Sequence, residues 1–143
     1  MRILGIDLGE KRIGISISDE LGITAQGLPT INSFNEIEDL KNIKKIIDKY
    51  GVKKIILGLP KNMNGSLGKQ AKNAISFAEK IKLSFQLPVE LEDERLTTRK
   101  AEKFLIETDR SRKKRKKVID KMSAIIILQS FLDRRMMNKE IKK

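Results

Sequence analysis

The stretch that decides the fold is residues 2–18, RILGIDLGEKRIGISIS. Two runs rich in isoleucine and leucine, Arg2–Leu8 and Arg12–Ser18, are separated by a short Gly-Glu-Lys segment, and isoleucines alternate along the second run. Alternation of apolar residues with a period of two is typical of a strand with one buried face. The stretch therefore predicts a β-hairpin at the start of the chain.

Downstream of the hairpin, strand and helix patterns alternate. A third strand is predicted near residues 24–31, where a glycine and a proline indicate an edge position. A helix with Asn35 as its cap and Gly51 as its stop follows from the spacing of its apolar residues. This helix is predicted over 36–50. The remaining predicted elements are a strand over 54–57, a helix over 67–81, a strand over 89–91, a helix from 97 or 98 to about 106, and a last helix over 118–136.

This order of elements predicts an α/β fold: a mixed five-stranded sheet with helices on both faces. The 143 residues are enough for one domain with a substantial core and leave little room for a second. We expect a single domain over residues 1–137, with a mobile basic loop at about 108–117 and a basic tail over 138–143.

The composition excludes several kinds of chemistry. The chain has no histidine and no cysteine, which removes a serine-histidine-aspartate triad, a histidine general base, the usual zinc sites and disulfides. Carboxylates that hold hard metal ions remain. The longest purely apolar stretch, residues 124–128, is far too short for a membrane span, and the N-terminus carries no cleavage-site pattern, so we expect a cytoplasmic protein without a membrane partner.

The positive charge is concentrated towards the C-terminus. Of the formal net charge of +12, residues 1–94 contribute 14 basic and 13 acidic groups, and residues 95–143 contribute 17 basic and 6 acidic groups. A basic field on one part of a balanced domain favours a polyanionic partner, most commonly nucleic acid. An anionic membrane is the alternative, although no lipidation signal accompanies it.

The first chemical motif is Asp7, an aspartate in an apolar strand between Gly5 and Gly9. An ionised carboxylate in such a strand has to face solvent or be paired, because its burial alone is very costly. Flanking glycines would clear space for a phosphate or a metal. The alternative is an ordinary aspartate that accepts backbone hydrogen bonds near a turn.

The second motif is the acidic triplet Glu92, Asp93 and Glu94, where a predicted strand runs towards a helix. The C-terminal ends of strands are where open α/β sheets gather their sites, and a metal would tolerate the repulsion among these acids. Strand alternation places Glu92 and Glu94 together and Asp93 opposite, but it does not choose the ligand. The alternative is a solvated turn with Thr97 or Thr98 as a helix cap.

The third motif is Asp120, near the start of the last predicted helix. Helical spacing places it on one face with Ala124 and Ile127, and the small residues Ser123 and Ala124 would let the helix approach the sheet closely. Asp120 could then reach Asp7. The alternative is an acid that simply favours the first turn of a helix.

The fourth feature is the segment 110–117, with seven basic residues in eight. Its like charges repel, so we expect it to be mobile until phosphates neutralise it. Its position just before Asp120 would bring a phosphate backbone to the site. A solvated surface loop is the alternative.

A stretch around residues 65–70 is similar to a P-loop, but its spacing is wrong and Gln70 stands where a Ser or Thr would bind magnesium.

Four blocks of sequence together resemble the YqgF/RuvX-type proteins of bacteria, which are described as Holliday-junction resolvases and as nucleases that mature the 5′ end of pre-16S ribosomal RNA. The resemblance reaches from residue 3 to about residue 132. The blocks are Gly5-Ile6-Asp7-Leu8-Gly9 through Arg12-Ile13-Gly14, Gly58-Leu59-Pro60 with Asn62-Met63-Asn64-Gly65, Asp93-Glu94-Arg95-Leu96-Thr97-Thr98, and Asp120 through Leu128-Gln129.

The resemblance implies a ribonuclease-H-like fold related to that of RuvC, with Asp7, Glu94 and Asp120 as an acidic triad holding one or two Mg²⁺ or Mn²⁺ ions. It leaves open whether Glu92 or Asp93 shares the site. We expect phosphate contacts from Lys11, Arg12, Asn62, Arg95, Arg112, Lys113, Lys114, Arg115, Lys116 and Lys117.

The function expected from this resemblance is cleavage of precursor ribosomal RNA, with branched DNA as the alternative substrate. A protein that binds nucleic acid without cutting it, and a fragment of a nucleotide-binding ATPase, are alternatives from other classes. A monomer and a homodimer both remain open, since a junction resolvase would act as a two-fold dimer.

Overall fold

The computed structural model of the protein describes residues 1–62, 64–94 and 112–141, and for residues 112–121 and 139–141 it describes the backbone alone. Within these ranges five strands and three helices follow one another. They are β1 (Arg2–Leu8), β2 (Arg12–Ser18), β3 (Ala25–Asn32), α1 (Glu36–Tyr50), β4 (Val52–Leu59), α2 (Lys69–Phe85), β5 (Val89–Asp93) and α3 (Arg112–Ile141).

The five strands form one mixed sheet in the order β3-β2-β1-β4-β5. β1 and β2 are the predicted antiparallel hairpin, β3 continues it at one edge, and β4 and β5 run parallel to β1. The edge position of β3 agrees with its glycine and proline. The predicted mixed sheet of five strands is therefore confirmed.

Helices cover both faces of the sheet, as the sequence predicted. Alternate residues of β1 show the division: Leu4 and Ile6 pack with α1 and α2, whereas Ile3 packs with α3. The larger core lies on the α1 and α2 side and includes the three isoleucines of β2. We call the two sides the α1/α2 face and the α3 face.

The first helix, α1, begins and ends where the sequence predicts. The side chain of Asn35 accepts a hydrogen bond from the Glu38 backbone N–H at 2.9 Å, and Gly51 closes the helix in the left-handed conformation at φ 65°. The second helix begins at Lys69, not at Leu67, which lies before it and is exposed. The helix predicted from 97 or 98 to about 106 lies outside the described residues.

The last helix is longer than the one predicted over 118–136. α3 runs from Arg112 to Ile141, so residues 112–117 of the predicted basic loop and residues 138–141 of the predicted tail are helical. Lysine and arginine are good helix formers, and no glycine or proline interrupts the segment, so helix propensity outweighs repulsion among like charges. No helix in the described parts of the chain is both long and apolar enough to cross a membrane.

Candidate active site

The candidate site lies at one edge of the sheet, where the parallel strands β1, β4 and β5 end. Asp7 is the second-to-last residue of β1, and Glu94 directly follows β5. The loop that leaves β4 starts at the same edge. The sheet therefore brings together two acids that are 87 residues apart in sequence.

Asp7 and Glu94 are in direct contact through a side-chain hydrogen bond. Glu94 is buried, and its burial, together with the hydrogen bond to Asp7 and the negative charges of Asp7 and Asp93, raises the pKa of Glu94 to about 9. At neutral pH Glu94 is therefore protonated and donates to the Asp7 carboxylate. The two carboxyl groups share one proton.

Gly58, near the end of β4, makes room for Glu94. A Cβ atom at this position would lie 2.7 Å from the Glu94 Cδ and 2.7 Å from the Ile127 Cδ1, closer than real Cβ contacts allow. The Glu94 backbone N–H donates to the Leu59 carbonyl oxygen at 3.1 Å, which carries the pairing of β4 and β5 one step beyond the strand. Glu94 is thus held between β4 and α3.

The glycines around Asp7 have different roles. Gly14 is the partner of Asp7 in the antiparallel pairing of β1 and β2, so no side chain stands opposite the aspartate. From its position in the motif, Gly5 was predicted to clear space for a phosphate or a metal, but its role is different. A Cβ atom there would lie 2.8 Å from the Leu128 Cβ and 3.2 Å from the Ala124 carbonyl oxygen, so Gly5 admits helix α3 instead.

Helix α3 approaches the sheet closely at small residues. The buried Ser16 hydroxyl of β2 donates to the Ala124 carbonyl oxygen at 2.7 Å, and Ser123 and Ala124 are both buried. Asp120 lies in α3, one helical turn before Ala124, and its side chain lies outside the described residues. Among the side chains that are described, no three acidic groups lie together as metal ligands.

Of the other two acids in the triplet, Glu92 forms an ion pair with an arginine. Its two carboxylate oxygens accept hydrogen bonds from the Arg134 guanidinium, both at 2.6 Å, and these raise the pKa of Arg134. Asp93 is half-buried and contributes its negative charge to the surroundings of Glu94. Glu92 therefore faces α3 with Glu94, as the alternation indicated, but it is paired elsewhere.

The predicted phosphate contacts are only partly described. Lys11 is exposed in the hairpin turn, Arg12 is half-buried at the start of β2, and Asn62 is exposed in the loop after β4. A hydrogen bond of 3.1 Å from Gln70 to Glu10 joins the start of α2 to the hairpin turn. Arg95 and the side chains of residues 112–117 lie outside the described residues.

Three contributors to the site were missed by the sequence reasoning. Gly58 carried a signal, because a glycine at the end of a buried strand marks a close approach by another group. Ser16 also carried one, as a polar residue among alternating isoleucines. Arg134 carried none, since its partner Glu92 is 42 residues away in sequence.

The residues present fit a divalent metal ion. Asp7 and Glu94 offer four carboxylate oxygens, the hard ligands that Mg²⁺ and Mn²⁺ prefer. The repulsion between the two acids is relieved by a proton in the protein alone, and a cation would relieve it equally. Gly58 and Gly14 keep bulky side chains away from the pair.

The order of the strands and the helices on both faces are those of a ribonuclease-H-like fold. RuvC of T. thermophilus, solved in complex with a Holliday junction substrate, shares this fold with a TM-score of 0.59 and 13% identity over 95% of this chain and 96% of that one. The Holliday junction resolvase of fowlpox virus gives 0.55 and 16% over 94% and 99%.

The chain belongs to the RuvX family, described as Holliday junction resolvase, whose model matches residues 1–134. Relatives bear the name "Putative pre-16S rRNA nuclease". One from Geobacillus kaustophilus is 58% identical over 93% of this chain and 98% of its own length. One from Caldanaerobacter subterraneus subsp. tengcongensis is 55% identical over 93% of this chain and 96% of its own length. The family resemblance found in the sequence is confirmed.

Proposed function

We propose that the protein is a metal-dependent nuclease that hydrolyses phosphodiester bonds, with precursor 16S ribosomal RNA as its substrate. The observation that carries the proposal is the contact between the Asp7 and Glu94 carboxyl groups at the edge of the sheet. Two acids held together in a buried site repel each other when both are ionised. Their placement side by side therefore favours a role in binding a cation over a role in stabilising the fold.

The metal would be held by Asp7 and Glu94, with Asp120 from α3 as the third ligand. Bound there, Mg²⁺ or Mn²⁺ would supply a water molecule of lowered pKa and stabilise the leaving oxygen of the phosphodiester. Burial of Glu94 against Gly58 fixes the direction of its carboxylate. Asp7 would be held by the pairing of β1 with β2, in which it stands opposite Gly14.

The basic residues would orient the phosphate backbone. Lys11 lies in the hairpin turn and Arg12 at the start of β2, soon after Asp7 in the sequence, and Asn62 lies in the loop that leaves β4 at the same edge of the sheet. Arg95 and the six basic residues from 112 to 117 would contribute as well, because they follow Glu94 and precede Asp120 in the sequence. Such contacts position a nucleic acid and do not read its sequence.

The choice of ribosomal RNA rests on the relatives, which share more than half of their residues with this chain over nearly its whole length. Cleavage of a four-way DNA junction is the second candidate. It is favoured by the description of the family and by a fold shared with RuvC. Contacts to phosphates alone do not separate the two substrates.

The test is a side-by-side cleavage assay on precursor 16S ribosomal RNA and on a four-way DNA junction, with Mg²⁺ or Mn²⁺. Asp7→Asn should lower cleavage at least about a thousandfold, because the amide is a poor ligand and carries no charge. Its melting temperature and its affinity for nucleic acid should stay near those of the unaltered protein. Asp48→Asn, at an exposed position of α1, is the matched control and should cleave normally.

Each outcome has a definite reading. Unchanged cleavage by Asp7→Asn would contradict the assignment of the site. Cleavage of the junction in preference to the RNA would replace the first substrate with the second. Binding of either substrate without turnover, in both metals, would make the protein a binding module.

A further inference from the structure

Arg134 and Glu92 form an ion pair that the proposed chemistry does not use. The two terminal nitrogens of the guanidinium, Nη1 and Nη2, donate to the carboxylate at 2.6 Å, and the side chain of Glu92 is 7% exposed whereas that of Arg134 is 53% exposed. A bidentate pair of this kind fixes both the distance and the orientation of its partners. The pair is therefore a geometric constraint as well as a charge contact.

Glu92 lies two residues before Glu94 on the same face of the sheet. In the pairing of β4 with β5 it stands opposite Gly58, the glycine that makes room for Glu94. Any shift of Glu92 along or away from β4 would be passed to Glu94 through a single intervening residue. The position of Glu92 therefore bears directly on the position of Glu94.

Among the strands that the structure describes, β5 pairs with β4 alone, at the edge of the sheet. Its five residues depend on β4 for main-chain pairing, and its C-terminal end leads into the site. Main-chain pairing on one side resists displacement less than pairing on two sides. The guanidinium of Arg134 holds the strand from α3, which packs on the face of the sheet.

The other partner of the pair is in the helix that carries Asp120. Arg134 follows Asp120 by 14 residues, about 21 Å along a helix. Hydrogen bonds tie α3 to β2 through Ser16 and to β3 through Gln129, whose side-chain oxygen accepts from the Ala25 N–H at 2.8 Å. The pair with Glu92 ties the same helix to β5.

We propose that Arg134, acting through Glu92, is a positioning residue for the metal site, because it joins the helix that carries Asp120 to the strand that leads into Glu94. The inference rests on the proposed function for the identity of the two ligands. Removing the arginine leaves a buried carboxylate without its cation, which is costly, and the end of β5 moves to hydrate it. Glu94 moves with it.

The chain offers a matched control in a second ion pair. Lys54 of β4 binds Glu90 of β5 at 2.7 Å on the same face, and both Lys54 and Arg134 lie over the ring of Phe131, at 5.0 Å and 5.9 Å. Glu90 is four residues from Glu94 and half of its side chain is exposed. Lys54→Met and Arg134→Met therefore remove similar contacts at different distances from the site.

The experiment measures Mn²⁺ affinity by calorimetry, together with kcat and KM for cleavage, at a temperature where each variant is folded. Arg134→Met should lower Mn²⁺ affinity about tenfold and lower kcat with KM for nucleic acid unchanged. Lys54→Met should leave all three values unchanged. Arg134→Lys, which keeps the charge and loses the bidentate geometry, should fall between them, and it serves as the test if Arg134→Met does not fold.

Equal Mn²⁺ affinity in Arg134→Met and the unaltered protein would overturn the inference, and so would equal losses in Arg134→Met and Lys54→Met. Either result leaves the proposed function intact if Asp7→Asn still abolishes Mn²⁺ binding. An unaltered protein that binds no Mn²⁺ would overturn the proposed function and this inference with it.

Discussion

The two faces of the sheet are built from the same strands but differ in what they can do. On the α1/α2 face, positions from Leu4 to Leu59 present large apolar side chains to two amphipathic helices without interruption. On the α3 face the large apolar strand side chains of the core are Ile3 and Ile56. Towards the site the same face presents glycine, serine and carboxylates: Gly5, Asp7, Gly14, Ser16, Gly58, Glu92 and Glu94.

The difference shows how one small sheet serves stability and chemistry at once. Packing with α1 and α2 stabilises the sheet through one face, so the other face can give up apolar contacts near the site. Small residues there bring α3 close without filling the space that the acids need. A test of this division is to add or remove single groups on each face.

The largest effect is expected from Gly58→Ala. The new Cβ overlaps Glu94 and Ile127, so it displaces the Glu94 carboxylate and separates α3 from β4. A misplacement of about 1 Å in such a site costs on the order of a hundredfold in rate, and overpacking costs about 1–3 kcal/mol in stability. The loss of rate is measured by metal-dependent cleavage and the loss of stability by thermal unfolding.

The contrast is with Ala74→Val, which adds volume to the buried α1/α2 face. It should destabilise the fold by a similar amount and leave the rate per folded molecule unchanged. Similar rate losses in the two variants would show that the faces are not separate in function.

The next effect concerns pH and the metal-free protein. Because the folded state raises the pKa of Glu94 to about 9 from 4.5, its contribution to stability is fully present below pH 4.5 and is lost as the pH rises through 9. Glu94→Gln keeps a neutral donor to Asp7 at every pH. Between pH 6 and pH 9 the unaltered protein should lose about 5 °C or more of melting temperature relative to this variant.

The exposed Glu79 of α2 provides the control, and Glu79→Gln should follow the unaltered protein at each pH. Saturating Mg²⁺ should reduce the difference, since a cation stabilises the ionised pair. Parallel pH profiles for Glu94→Gln and the unaltered protein would contradict the shared proton.

The smallest effect is expected from Ser16→Ala on the α3 face. It removes the buried hydrogen bond to the Ala124 carbonyl oxygen and should cost about 1 kcal/mol of unfolding free energy. Chemical denaturation measures the change. Ser76→Ala, at an exposed position of α2, should stay within about 0.5 kcal/mol. If both serines prove neutral, this contact does not anchor α3.

The sequence predicted most of this architecture because local patterns determine it. The hairpin and α1 lie where alternation, helical spacing and the Asn35 cap place them. Apolar strands 87 residues apart are also expected to bring Asp7 and Glu94 to one edge, because parallel strands end together. Asp120 as a ligand stays a prediction.

Long-range contacts were the part that could not be predicted. Nothing local pairs Arg134 with Glu92, and the role of Gly5 depends on which helix crosses β1. The start of α3 was misjudged because repulsion within residues 112–117 was given more weight than helix propensity. The first two depend on elements that are distant in sequence, whereas the third is a local balance within one segment.

The first turns of α3 have a consequence for binding. Residues 112–117 are all basic, and no acidic residue accompanies them at the helix start, so positive charges stand at the positive end of the helix macrodipole. This arrangement weakens the helix in isolation. A phosphate backbone bound there would cancel the unfavourable field, so binding of a polyanion and stability of these turns would reinforce each other.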